Sequence, residues 1–185
     1  MATNAIRPDY PADVLERAAR IRVIGFDVDG TLTDGRLLYG DDGNESKAFH
    51  VQDGLGIKLL QNSGIEVALV TARVSAVVER RGRELGIARV HTHMREKLAC
   101  MRAIATDMGI DMDQVAFMGD DLPDLAALRA AGLAIVPANA HDWAKPAAHW
   151  TTPRRGGEGA ARDACDLLLH AQGKIEAILA HGEHP

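Results

Sequence analysis

The chain has little cysteine, no long apolar run and no excess of basic charge. Its two cysteines, Cys100 and Cys165, lie far apart and outside any C-x-x-C pair. That pattern argues against a disulfide framework and for two buried free thiols in a reducing compartment. No apolar run approaches the roughly 20 residues that a membrane-spanning helix needs. The N-terminal stretch "MATNAIRPDYPADVLERAARI" has no apolar core of the secretory type. These absences predict a cytoplasmic protein. Lys and Arg number 21 against 26 Asp and Glu, a net charge of −5, so broad nucleic-acid binding is not expected. No repeat, low-complexity tract or interdomain linker is visible, and "PRRGGEGA" is too short to separate domains.

The 185 residues suffice for one domain with its own core, and 46% hydrophobic with 25% charged residues reads as globular. We therefore expect a single domain over residues 1–185. "IRVIGF", "EVALV", "ARVH", "QVAFM" and "LAIV" read as strands, with "HWTT" as one further edge strand. Between them lie helical patterns at "LGIKLLQNSG", "VSAVVERRGRELG", "REKLACMRAIATDMG" and "LPDLAALRAAG". "GAARDACDLLLHAQGKIEAIL" reads as one final amphipathic helix, its stripe of Leu167, Leu168, Ile175, Ile178 and Leu179 a core face. Short apolar strands alternating with helices predict an α/β fold, a Rossmann-like parallel sheet with helices on both faces. "RLLYGDDGNESKAFHV" reads as a hairpin turning at Gly40 to Asn44.

In such a sheet the site lies beyond the carboxyl ends of the strands. "VIGFDVDGTLTDG" ends a strand in Asp27 and Asp29, which alternation brings together on one face, where they repel. "EVALVTAR" ends in Thr71 and Arg73, and "QVAFMGDDLPD" in Asp120 and Asp121, with Asp124 a turn on. Lys97 stands in the first turn of the helix after "ARVH". Carboxylates converging from two strands need a cation, and hard oxygen ligands in small number favour Mg²⁺ with a substrate phosphate. Thr71 offers a hydroxyl donor, Lys97 a point charge and the "DVDGT" turn backbone N–H groups. An aspartate can accept a phosphoryl group covalently. We assign that role to Asp27, and proton transfer to and from the leaving and attacking oxygens to Asp29. Asp124 either pairs with Lys97, caps a helix or ligates the metal. His91 and His93 read as a polar loop, and Trp143 and Trp150 as packing groups.

"DVDGTLTDG", "VTAR", Lys97 and "GDDLPD", in this order, resemble the four motifs of the haloacid dehalogenase-like phosphatases. "DGLGI", "G-N-E-x-K-A-F" and "GGEGAARDACDLLLHAQGK" extend the resemblance over nearly the whole chain, to phosphatases of keto sugar acid phosphates. Ala72 departs from the family, which usually has Gly there. The resemblance implies hydrolysis of 3-deoxy-D-manno-octulosonate 8-phosphate (KDO 8-phosphate) in lipopolysaccharide synthesis. It implies Asp27 as nucleophile, Asp29 as acid/base, and Thr71 and Lys97 as phosphate binders; from its place at the strand end we add Arg73 to the substrate-binding set, with Thr71 and Lys97. It implies Mg²⁺ on Asp27, the Asp29 carbonyl and Asp120, with Asp121 at or near the metal shell. Two other readings stay open: the same chemistry on a nine-carbon keto acid 9-phosphate, and a phospho-accepting receiver-like module.

Thr31 to Asp53 leaves room for a hairpin flap over about residues 35–52 in place of a large cap. Leu37, Leu38, Tyr39, Phe49 and Val51 are too apolar to leave bare. The resemblance implies a homotetramer in which the flaps pack together and neighbours complete each site. In the C-terminal tail, about 153–185, Gly156, Gly157 and Gly159 predict mobility. Arg155, and Arg162 in the first turn of the last helix, suit an anion such as the sugar acid's carboxylate.

Overall fold

The computed structural model describes residues 9–181. The two ends of the expected 1–185 domain, including the last four residues of the tail, lie outside the described residues. A short helix α1 (Ala12–Ala18) leads into β1 (Val23–Phe26). A hairpin follows, β2 (Leu38–Tyr39) and β3 (Glu45–Ser46). The chain then alternates through α2 (Val51–Asn62), β4 (Glu66–Val70), α3 (Ala76–Leu85), β5 (Arg89–His91) and α4 (Lys97–Met108). It continues with β6 (Val115–Met118), α5 (Leu125–Ala130), β7 (Leu133–Val136), β8 (Trp150–Thr151), α6 (Ala160–Ala171) and α7 (Ile175–His181).

Six strands form a parallel sheet in the order β5-β4-β1-β6-β7-β8. The hairpin is a separate two-stranded antiparallel sheet. Every residue of β1, β6 and β7 is buried, because helices cover both faces. Alternation splits these strands between two cores. Ile24, Phe26, Leu69 and Met118 pack with Val14 of α1, Ile57 and Leu60 of α2 and Leu167 and Leu168 of α6. Val23, Ala68 and Phe117 pack with Met101 and Ile104 of α4 and Leu128 of α5 on the other face. Each such fully buried side chain contributes about 1.5–3 kcal/mol. Chain order reverses about β1, with β4 on one side and β6 on the other, so the crevice at their carboxyl ends is the natural ligand site.

Leu179, read as part of the core face of the final helix, is 62% exposed, and four features of the backbone also differ from the sequence reading. Helix α1 is additional, burying Val14 and Ala18. Helix α2 starts at Val51, which the sequence placed in the hairpin, and Phe49 packs on the core. The expected final helix is two, because Gly173 adopts the left-handed conformation (φ 66°) and ends α6. The glycine-rich segment, read as mobile, is held down instead. Gly156 N–H donates to Asn139 Oδ1 at 2.8 Å and Gly157 N–H to Thr31 O at 3.2 Å. A Cβ on Gly156 would stand 1.8 Å from the Gly30 carbonyl oxygen, so these glycines serve close approach of two loops.

Candidate active site

The ladder between β1 and β6 runs one residue past Phe26: Asp27 N–H donates to Met118 O at 2.8 Å. Asp27 is therefore buried at the strand's carboxyl end. The chain then turns sharply, with Val28 O accepting the amides of Thr31, Leu32 and Thr33. Gly30 makes this turn with φ 90°, and a Cβ there would lie 2.1 Å from Asp120 Oδ2. The chain leaves the strand here, so Asp29 sits in the turn rather than on β1. Each carboxylate has its own lysine: Lys97 for Asp27 and Lys47 for Asp29.

Lys97 is the first residue of α4 and is 4% exposed. Its Nζ donates to Asp27 Oδ1 at 2.6 Å and to Asp124 Oδ1 at 2.5 Å. The other Asp124 oxygen accepts the amides of Asp120 and Asp121 at 3.0 and 3.2 Å. Asp124 thus pairs with Lys97 and shapes the loop after β6. Oxygens of Asp27, Asp120 and Asp124 lie within 4.8 Å of one another. Three carboxylates against one ammonium leave two negative charges if all ionise, which suits a divalent cation. Burial and then Asp124 push the Asp27 carboxyl up to about 8, though Lys97 pulls the other way. Burial, Asp124 and Asp121 push Asp120 to about 6. Burial disfavours a charged Lys97, but Asp27 and Asp124 outweigh it and raise its pKa. The oxygen-only donor set fits Mg²⁺, which a few carboxylates and waters hold.

Thr71, buried at the end of β4, accepts the Arg73 amide on Oγ1 at 3.2 Å, which leaves its hydroxyl proton free to donate. The Thr71 carbonyl accepts Met94 N–H, and Arg73 O accepts His93 N–H, so residues 91–96 brace this strand end. Arg73 reaches the hairpin, donating through Nη2 to Glu45 Oε1 at 2.7 Å and Tyr39 OH at 3.1 Å. Asp121 is not brought into the acidic group. Its half-exposed side chain accepts Leu122 N–H at 2.7 Å, because the extended backbone at Asp121 makes it a cap. Arg155 is exposed near Glu158. Arg162 pairs with Asp166 at 2.7 Å, its amide bound by Asp53. Neither arginine meets the acidic cluster of its own chain. Sequence reasoning missed Lys47 and Glu45, whose signal is alternation: two residues apart on the second arm of the hairpin, they share a face.

A switch-point sheet with an acidic cluster at its strand ends matches a known class. The family model of haloacid dehalogenase-like hydrolases matches residues 86–162. The chain is 42% identical over 164 residues to 3-deoxy-D-manno-octulosonate 8-phosphate phosphatase KdsC of Yersinia pestis, covering 89% of this chain and 88% of that one. It superposes on a hypothetical protein from Xanthomonas campestris with a TM-score of 0.93 at 53% identity, over 96% of this chain and 97% of that one. It superposes with a TM-score of 0.91 at 39% identity on the Moraxella catarrhalis 3-deoxy-D-manno-octulosonate 8-phosphate phosphatase, solved with magnesium, phosphate and KDO. That match covers 94% of this chain and 100% of the other. The chain belongs to the 3-deoxy-D-manno-octulosonate 8-phosphate phosphatase family of the haloacid dehalogenase-like hydrolases.

Proposed function

We propose that this protein is a Mg²⁺-dependent phosphatase that hydrolyses 3-deoxy-D-manno-octulosonate 8-phosphate to KDO and phosphate. One observation carries the reading: a buried carboxylate group of net negative charge, with Lys97 inside it, in a chain 42% identical to a phosphatase of that ester. Asp27 attacks phosphorus, and the ester P–O bond breaks. Asp29 gives a proton to the leaving alkoxide and then takes one from the water that releases phosphate from Asp27. Thr71 and Lys97 bind the phosphoryl oxygens. Asp27, Asp120 and the Asp29 carbonyl would hold Mg²⁺, which when bound neutralises developing charge. Asp124 orients Lys97 and the Asp120 amide rather than ligating.

We further propose a homotetramer. Leu37, Leu38, Tyr39 and Val51 are all exposed, between 45% and 81%, and form an apolar surface of the kind that another subunit covers. Arg155 and Arg162 then stand toward a neighbour's site. Two buried free thiols suit the cytoplasm. Phosphate release over a panel of sugar phosphates, with Mg²⁺ and with a chelator, tests the function. Release from the eight-carbon ester that the chelator stops is expected. Faster release from a nine-carbon 9-phosphate, or indifference to the chelator, overturns the assignment.

A further inference from the structure

The hairpin presents an inverted pattern. Its apolar residues Leu38 and Tyr39 face solvent, while its charged Lys47 side chain is 1% exposed. Charge, not apolar packing, ties the hairpin to the sheet. Lys47 Nζ donates to Asp29 Oδ1 and stands 3.4 Å from Glu45 Oε1. Glu45 accepts Arg73 Nη2 at 2.7 Å on one oxygen and Ser75 Oγ at 3.1 Å on the other. Two cations and two carboxylates thus balance at the mouth of the site. The ion-pair partners of Lys47 are Asp29 and Glu45, and it makes no ion pair with Asp27, Asp120 or Asp124.

The two oxygens of Asp29 are unequal. Oδ1 is taken by Lys47. Oδ2 is buried without a hydrogen-bond partner, and Arg73 Nε is 3.8 Å away, beyond bonding distance. A buried carboxylate oxygen without a partner is costly unless a substrate or water meets it. We propose that Lys47 is the positioning residue of proton transfer: it fixes Asp29 by Oδ1 and leaves Oδ2 to carry the proton. This rests on the phosphatase reading above. In the first step Oδ2–H gives its proton to the leaving alkoxide as the ester bond breaks and the bond to Asp27 forms. In the second, Oδ2 takes a proton from the attacking water as the bond to Asp27 breaks and phosphate leaves. Glu45 and Arg73 hold Lys47 in register, so the hairpin is part of the acid/base apparatus as well as a lid.

Lys47→Met, Lys47→Gln and Lys47→Arg test this in the full-length protein with Mg²⁺. General acid–base catalysis contributes about 10²–10⁴-fold, so Lys47→Met should lower kcat on the sugar phosphate by about a hundredfold or more. p-Nitrophenyl phosphate has a leaving group that needs no proton. With it, Lys47→Met should show a fast burst of nitrophenolate, about one per subunit, followed by slowed turnover, because only the second step still needs Asp29. Lys47→Arg should restore turnover without a burst, and Lys47→Gln should behave as Lys47→Met. A variant that loses burst and turnover equally shows a merely structural lysine and overturns the proposal. Wild-type kinetics in Lys47→Met and Lys47→Gln overturn it too. If the wild-type protein releases neither phosphate nor nitrophenolate, it is the phosphatase reading that fails.

Discussion

Replacing Lys97 with methionine removes one charge and little volume. The ammonium it deletes is the shared partner of Asp27 and Asp124, both almost fully buried. Removing one partner of a buried ion pair costs about 3–5 kcal/mol. For a chain of this size that lowers Tm by roughly 6–20 °C, at about 2–4 °C per kcal/mol. The loss should depend on pH. A carboxylate whose folded pKa is raised contributes less stability as pH climbs from its unfolded value toward the folded one. Asp27 is raised to about 8, so without metal it stays protonated in mild acid and ionises in mild base. The deficit of Lys97→Met, present at any pH through the lost Asp124 pair, should therefore grow from about pH 5.5 to about pH 8.5. Thermal unfolding by circular dichroism in chelator, at both pH values, measures it. Turnover should fall by about 10²–10³, as when one preorganised charge leaves a site. A variant that melts with the wild type in mild base refutes the claim that Lys97 compensates these carboxylates.

Burial and neighbouring carboxylates raise the proposed Mg²⁺ ligands Asp27 and Asp120, to about 8 and about 6, so the metal would compete with protons there. Thermal stabilisation of the protein by Mg²⁺ should grow from mild acid to mild base, and a shift constant with pH contradicts that. Asp120→Ala should abolish this Mg²⁺ response while Asp121→Ala keeps it, by isothermal titration; the reverse result would put Asp121 in the metal shell. Gly156→Ala forces a Cβ to within 1.8 Å of the Gly30 carbonyl oxygen. Overpacking of this kind costs about 1–3 kcal/mol and should displace the Asp27 loop, lowering both Tm and activity; an unchanged Tm would show that the two loops part freely.

Much of this was legible because strand periodicity and motif order are local signals. All five expected strands formed, and "HWTT" contributed the edge strand opposite β5 at Trp150–Thr151. Lys97 could be placed because it opens a helix after a short strand. The fates of Asp124 and Asp121 were not legible. Which of the adjacent Asp120 and Asp121 turns inward depends on the extended backbone at Asp121, and the 3-10 turn that follows brings Asp124 back under it. Gly156 and Gly157 read as freedom, whereas tertiary contact with residues 30–34 uses them for close approach. Lys47 escaped because a lysine in a hairpin ordinarily faces water. Its burial is set by Asp29 and Glu45, which only the fold brings together.

In the proposed reaction Asp27 accepts the phosphoryl group of an eight-carbon keto sugar phosphate. The most direct test is rapid acid quench during turnover of 3-deoxy-D-manno-octulosonate 8-phosphate, followed by peptide mass spectrometry. A phosphorylated peptide in which Asp27 carries the group is expected, formed only with Mg²⁺, short-lived, and absent from Asp27→Asn. Phosphate release with Asp27 never labelled, or from Asp27→Asn at the wild-type rate, would contradict it.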